Sequence, residues 1–374
     1  IIKDLIENFQ LVSYALYHLT SAVQFGFIVG TLVYALLNLA DRFPPARLFF
    51  VSILAGALFN LFMLWPGNDL FSLILFRFLT GFFLAGIYPV GMKIAADYYQ
   101  KGLDKSLGYL VGALVLGTAF PHYLQGSGYS LPWRWVVGLT SLIAVLGGLL
   151  MWLGVGNGPY RRPSKSLDMG AIFRVFRDRP FRAAAFGYFG HMWELYTFWT
   201  FVPVMLIYYT DRHPFPEISL SFLCFLIIGI GGPACVLGGY ISQSLGSKTT
   251  ATGALLLSGI CCLLSPLVLL MSAWPVFLGF LFFWASVVIA DSPLFSTMVA
   301  HSAPPTIKGS ALTIVNSLGF LMTIFSIQLI QSMQHYVGLE YVFLLLALGP
   351  LFGLLSLRMS PSQVSPESPE VSVG

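Results

Sequence analysis

Three ionisable residues stand where apolar sequence surrounds them on both sides: Arg77, Glu194 and Asp291. A charge near the middle of a bilayer costs roughly 2.5–3.5 kcal/mol on insertion scales, so it faces a cavity or a partner. Arg77 offers a fixed cation that would offset the cost of bringing a carboxylate or another anion inside. Glu194 lies three residues after His191 in Gly187-Tyr188-Phe189-Gly190-His191-Met192-Trp193-Glu194. On a helix the two share a face, so imidazole and carboxylate can hydrogen-bond and hand a proton to one another, as proton coupling requires. Gly187 and Gly190 would let that helix bend or let a neighbour approach. In Asp291-Ser292-Pro293 the proline removes a backbone donor and frees the carbonyl four residues earlier, which Ser292 or a ligand can meet. Tyr88-Pro89 repeats the device.

Small polar rows add hydrogen-bonding capacity: Thr20, Gln24 and Thr31 on one apolar stretch, Thr313, Asn316 and Thr323 on another. They serve equally to contact a solute or to hold helices together. Likewise Arg77, Glu194 and Asp291 read either as cavity residues or as structural pairs, and His191–Glu194 as a proton relay or a fixed hydrogen bond. Lys93, Asp97 and Lys101 recur every four residues, the spacing of a charge ladder or an inter-helix latch. Cys224, Cys235, Cys261 and Cys262 sit in apolar runs with no ligand spacing and read as packing residues. No HExxH, catalytic triad or phosphate-cradling GxxxxGK[ST] is present, so no catalytic site, metal or cofactor is expected and ATP is not the energy source.

The elements that must carry these residues follow from composition. Of 374 residues, 57% are hydrophobic and 9% charged, against roughly 25% charge in a soluble domain. A span with its loop uses about 33 residues, leaving room for about eleven. Apolar segments run over 13–39, 46–66, 69–93, 105–124, 133–155, 182–210, 217–241, 249–271, 275–300, 309–333 and 338–359, separated by Pro/Gly/Asp turns. The expected fold is an all-α polytopic membrane protein with eleven spans present. Long unbroken apolar runs exclude a β-barrel, and nucleic-acid binding is not expected. A polar stretch over 156–181, rich in arginine, separates a membrane part at 1–155 from one at 182–359, and a Ser/Pro/Glu tail over 360–374 is expected to be disordered.

Alternating the loops between two sides places 15 of the 19 Lys and Arg on one side and three on the other, with Arg77 inside a span. The basic side is cytoplasmic by the positive-inside rule, which puts the C-terminus there. The chain also repeats at an offset near 200 residues. The turn Asp41-Arg42-Phe43-Pro44-Pro45-Ala46-Arg47 pairs with Gly239 to Lys248, Pro89 with Pro293, and Lys101-Gly102 with Lys308-Gly309. Such offsets indicate two parallel halves of six helices. One helix rather than two precedes the first turn, so a first helix is expected to be missing, with 1–9 as its outer end and following loop.

Two parallel sixes, a long basic central loop and a basic turn after the second helix resemble the major facilitator superfamily over essentially the whole chain. Its signature turn, Gly-x-x-x-Asp-Arg-x-Gly-Arg-x-Arg, is matched by Asp41, Arg42 and Arg47, while Leu37, Pro44 and Pro45 depart from it. The resemblance implies a gating role for those three. The second copy keeps Gly239 and Gly246 but has Gln243 and Ser244 in place of Asp and Arg. The fourth-helix pattern Arg-x-x-x-Gly is intact at Arg77 to Gly81. The general character is similar to nitrate/nitrite porters and cyanate permeases, although the nitrate porters' paired arginines on the second and eighth helices are absent. By that resemblance Arg77, Glu194 and Asp291 fall on the fourth, seventh and tenth helices, which line the central cavity.

The function these expectations support is a secondary transporter in the bacterial inner membrane, a multi-pass monomer moving a small-molecule substrate, with an organic or inorganic anion suggested by Arg77, by alternating access. Substrate contacts are expected from Arg77, Asp291, Tyr88, Gln24 and Asn316, with Glu194 and His191 coupling protons. The alternatives are an integral membrane enzyme, which would need converging His, Asp and Glu at one membrane face, and a non-transporting sensor.

Overall fold

Because its backbone donors and acceptors have no water to turn to in lipid, a chain this apolar must satisfy them within helices. In a computed structural model, which describes residues 8–9, 11, 15–126, 132–163, 169–271 and 273–359, every regular element is helical. The order is α1 (Ala15–Leu36), the short α2 (Leu39–Arg42), α3 (Pro45–Phe62), α4 (Leu70–Leu84), α5 (Tyr88–Tyr98), α6 (Leu103–Gly126) and α7 (Trp133–Gly154). After the basic stretch come α8 (Met169–Arg174), α9 (Arg179–Thr210), α10 (Leu220–Gly229), α11 (Gly231–Leu245), α12 (Ser247–Met271), α13 (Trp274–Ala290), α14 (Ser292–Ser302), α15 (Lys308–Val337), α16 (Leu339–Val342) and α17 (Leu348–Arg358). Among the described residues, nine helical stretches are long and apolar enough to cross a bilayer, from Pro45–Phe62 to Leu339–Arg358; Ser21–Leu36 of α1 is a shorter apolar stretch, and α9 is the longest helix at 32 residues. The expectations for 1–7, 164–168 and the tail from 360 lie outside the described residues.

The prolines act as the sequence indicates. Pro89 and Pro293 stand at the second positions of α5 and α14, where a missing N–H costs nothing, and each starts a new helix directly after a break in the same rod. The freed carbonyl of Ile289 does not go to Ser292, however. Cys235 on α11 donates its thiol to it at 3.6 Å.

Packing depends on backbone proximity. A Cβ on Gly26 of α1 would lie 2.0 Å from the carbonyl oxygen of Phe78, and one on Gly81 of α4 would lie 2.1 Å from that of Val23. The two helices touch backbone to backbone, as small residues permit in membranes. Gly190 of α9 and Gly349 of α17 do the same, so Gly190 admits a neighbour rather than a bend. Large apolar side chains face outward, with Leu150 at 74% exposure, the reverse of a water-soluble surface. The early and late helices meet along two seams, α1 against α15 and α6 against α10 and α11.

Candidate functional site

Glu194 is fully buried, and its partners come from α12 and α13 rather than from its own helix. Trp284 Nε1 donates to Oε1 at 2.6 Å, Cys262 Sγ donates to the same oxygen at 3.2 Å, and Ser258 Oγ donates to Oε2 at 2.9 Å. The expected His191–Glu194 hydrogen bond is therefore not made. His191 turns toward the break between α13 and α14, where its Nδ1 lies 2.8 Å from Oδ1 of Asp291, an ion-pair contact outside hydrogen-bonding alignment. Residues three apart on a helix are separated by about 60° around its axis, enough to send them to different neighbours. Both groups of the contact are buried, and His191 Nε2 has no hydrogen-bond partner among the described residues. Cys262 thus does more than pack.

Arg77 points neither to Glu194 nor to Asp291. It is half-buried at the α1–α4 seam, where its Nε donates to the carbonyl oxygen of Leu19 at 3.3 Å, and no acidic partner faces it among the described residues. Tyr88 and Asn316 are brought toward the middle of the bundle. The Tyr88 hydroxyl faces those of Ser292 and Ser296, so the two proline-started helices meet at their first turns. Tyr188 donates to Asn316 Oδ1 at 2.9 Å, and Asn316 Nδ2 donates to its own helix at Leu312 O.

Tyr88, Tyr188 and Ser292, though not Asn316, border the inner of a stacked pair of cavities. The inner one, about 10 Å³, is walled by Tyr88, Tyr188, Tyr196, Trp199, Ser292 and Phe320, about ten residues or roughly 15 Å of helix from the basic end. The outer one, about 220 Å³, lies between Gln24, Phe27, Tyr196, Thr200, Phe320 and Thr323. Tyr196 and Phe320, with ring centroids 5.1 Å apart, belong to both and separate them. Among the described residues, neither cavity has a charged side chain on its wall. Trp199 and Thr200 carried no signal in the sequence, because an aromatic or threonine in an apolar helix looks like packing.

At the basic end the bundle is shut. Asp41, in the short α2, is buried and accepts from the backbone N–H of Gly309 (2.9 Å) and of Ser310 (2.8 Å) and from the Ser310 hydroxyl (2.8 Å), with Lys93 Nζ at 3.8 Å. Burial pushes the Asp41 carboxyl above its usual range, opposed first by Lys93 and then by the two amides. Lys93 is also paired with Asp97 one helical turn on, and both are buried, so they form a latch rather than a solvated ladder. A second contact joins the seams, with the Ser247 hydroxyl 2.9 and 3.0 Å from the carboxylate oxygens of Asp104. Arg42 and Arg47 are exposed; Arg42 lies over the Phe43 ring at 5.8 Å. Of the three signature residues, Asp41 alone reaches across.

The sequence profile of the Major Facilitator Superfamily matches residues 1–327. No curated protein matches the chain by sequence. Among solved structures, the E. coli fucose:proton symporter is similar at 14% identity, covering 96% of this chain and 94% of its own, with a TM-score of 0.75. A bacterial homologue of the iron transporter ferroportin in its outward-facing state is 16% identical over 96% and 93%, with a TM-score of 0.72. A human organic anion transporter is 17% identical over 95% and 88%, with a TM-score of 0.70. Likeness at these identities establishes shared fold alone.

Proposed function

We propose that this chain, which belongs to the major facilitator superfamily, moves a small solute across a membrane by alternating access around the stacked cavities. Membership makes it a multi-pass membrane transporter rather than an enzyme. In this reading eleven spans form two parallel sets of helices, and the basic end, with the C-terminus, faces the cytoplasm of a bacterial cell, where the protein works as a monomer. The latch at Asp41 then marks a state closed toward the cytoplasm, with the outer cavity on the opposite side.

The single observation that carries the substrate class is the wall of the outer cavity, which presents aromatic faces with one amide and three hydroxyls, those of Tyr196, Thr200 and Thr323, and no charged side chain among the described residues. Such a surface suits a small neutral solute whose C–H faces lie on Tyr196 and Phe320 while Gln24, Thr200 and Thr323 take its hydroxyls or amides. Proton coupling is assigned to His191 with Asp291, because the imidazole Nε2 has no hydrogen-bond partner among the described residues and Asp291 directly precedes Ser292 of the inner cavity, whereas Glu194 is held by three donors. A second reading, an anion, is favoured by Arg77, a half-buried cation without an acidic partner among the described residues. The further likeness to nitrate/nitrite porters and cyanate permeases supplies no binding arginine pair here.

Uptake of radiolabelled sugars, amino-acid amides and carboxylates into liposomes holding the purified chain tests this, with and without an imposed pH gradient. Saturable uptake of a neutral solute, blocked when Thr323→Trp fills the outer cavity, is expected. Uptake of carboxylates alone, lost in Arg77→Ala, overturns the neutral reading in favour of the anion.

A further inference from the structure

The basic end holds more positive charge than its latch uses. Among the described residues, four cations, Lys93, Arg161, Arg162 and Lys308, and two carboxylates, Asp41 and Asp97, stand around the seam between α5 and α15, an excess of two positive charges. Both carboxylates are engaged with Lys93, and Asp41 with the Gly309 and Ser310 amides besides. The other three cations border one concave space of about 230 Å³, whose remaining wall is Gln100, Pro159, Tyr160 and Pro305. No carboxylate lines it among the described residues. None of the three makes a salt bridge among the described residues, and the Nε of Arg161 is buried without a hydrogen-bond partner among them. A buried guanidinium nitrogen left unpaired costs about 1–3 kcal/mol or more, so its retention points to a ligand.

The arginines are also held in place. Gly158 fits so closely over Asp97 that a Cβ would lie 2.4 Å from the Asp97 carbonyl oxygen, and that oxygen accepts the Tyr160 amide at 3.0 Å. The Tyr98 hydroxyl donates to Gly156 O at 3.0 Å. Residues 156–162 are thereby pinned onto the end of α5, and the forks of Arg161 and Arg162 are presented across the gap from Lys308, the first residue of α15.

We propose that this space is a binding site for a phosphate-bearing anion, held between Arg161 and Arg162 on one side of the seam and Lys308 on the other. Guanidinium forks match phosphate oxygens in pairs, and Lys supplies a point charge. The volume falls below the roughly 300–1,000 Å³ of drug-sized pockets, which suits a free phosphate, a small phosphate ester or the head group of an anionic phospholipid. Because its ligands come from both sides of the seam, the anion binds better when the basic end is closed than when it opens, and it shifts the protein toward the closed state. That consequence rests on the alternating-access reading; the binding itself does not.

Titration calorimetry of delipidated, detergent-purified full chain with inorganic phosphate tests binding, and spin labels at Arg47→Cys and Ser244→Cys, exposed on opposite sides of the basic end, read its closure. Expected is saturable phosphate binding that weakens about tenfold or more in Arg161→Gln, Arg162→Gln and Lys308→Gln, survives in Lys308→Arg, and is unchanged in Arg358→Gln, an exposed cation off the cavity wall. Nanodiscs of phosphatidylcholine with and without phosphatidylglycerol separate the sources. A shorter label distance with phosphatidylglycerol and no phosphate binding in detergent identifies a lipid head group; phosphate binding that shortens the distance in phosphatidylcholine identifies a free anion. Absence of both effects in protein that elutes and melts as wild type overturns the proposal. Phosphate binding with no change in label distance upholds the site and overturns its coupling to closure.

Discussion

Asp41 and Ser310, 269 residues apart, are joined by two hydrogen bonds of 2.8 Å, from the amide and the hydroxyl of Ser310 to one carboxylate oxygen. A turn after the first described span thus closes onto the start of α15 from the opposite side of the seam, and Lys93 keeps the carboxylate's charge in company. The contact joins the first and last parts of the chain at one end only.

Asp41→Asn cannot accept from two amides and a hydroxyl while facing Lys93. Removing one partner of a buried charge pair costs about 3–5 kcal/mol, so the population open at the basic end should rise by at least tenfold. Spin-label distances across that end measure it. Arg42→Ala, whose side chain is exposed, should leave the distances within error.

Glu194→Gln places an amide group among donors. Its oxygen can keep Trp284 Nε1 and Cys262 Sγ, and the Ser258 hydroxyl can accept from the new amide while donating to Leu255 O, 3.2 Å away, but the acceptor has lost its charge and its hydrogen bonds weaken, at a cost of about 1–3 kcal/mol. A lower melting temperature of the purified protein is expected, with Trp284→Phe less harmful in the Gln background than in wild type, as coupled partners show. Additive losses would mean that Glu194 and Trp284 act independently.

Asp291→Asn and His191→Gln should both abolish uphill accumulation driven by a pH gradient while leaving exchange between preloaded and external solute in place, because exchange needs no net proton release. Loss of the gradient-driven mode in Glu194→Gln alone, with Asp291→Asn accumulating like wild type, would return coupling to Glu194.

Gly190→Ala drives a Cβ to 2.3 Å from the carbonyl oxygen of Gly349, backbone against backbone, so neither side can yield by a rotamer change. Overpacking of this kind costs about 1–3 kcal/mol or more, and the yield of folded protein by size-exclusion chromatography should collapse. Gly117→Ala, with nothing within 4 Å of its added Cβ, is the neutral comparison.

Asp69 caps α4, accepting the Ser72 amide at 2.8 Å while the Ser72 hydroxyl accepts the Asp69 amide at 2.9 Å. The Ser72 amide and hydroxyl hold its carboxyl below the usual carboxylate range. A lowered folded-state pKa contributes stability above the ordinary Asp pKa and loses it as pH falls through the folded one. The melting difference between wild type and Asp69→Ala should therefore be present at neutral pH and vanish in strong acid.

What the sequence determined by itself is whatever depends on the chain's own neighbourhood. Runs of apolar residues long enough to satisfy their backbone in lipid can only be helices, and α3, α6, α7 and α12 lie within a few residues of the apolar segments. Pro89 and Pro293 locate the helix breaks because ring and missing N–H act on the residues immediately before them. The match of Asp41 to a known turn marked the one latch residue that reaches across. Partner choice was settled only in three dimensions. Helical periodicity places His191 and Glu194 on nearby faces but says nothing about which helices lie opposite. Those proved to be the α13–α14 break for one and α12 with α13 for the other, 64 to 100 residues downstream. Arg77 met a carbonyl rather than an acid for the same reason, since Gly26 and Gly81 let α1 approach α4 closely enough to bring Leu19 within reach. The cavities, the pairing of Tyr88 with Ser292 and the clustering of Arg161 with Lys308 are likewise properties of the packed bundle. A residue's type sets what it can bond to, and only the neighbouring backbone sets what comes within 3 Å of it.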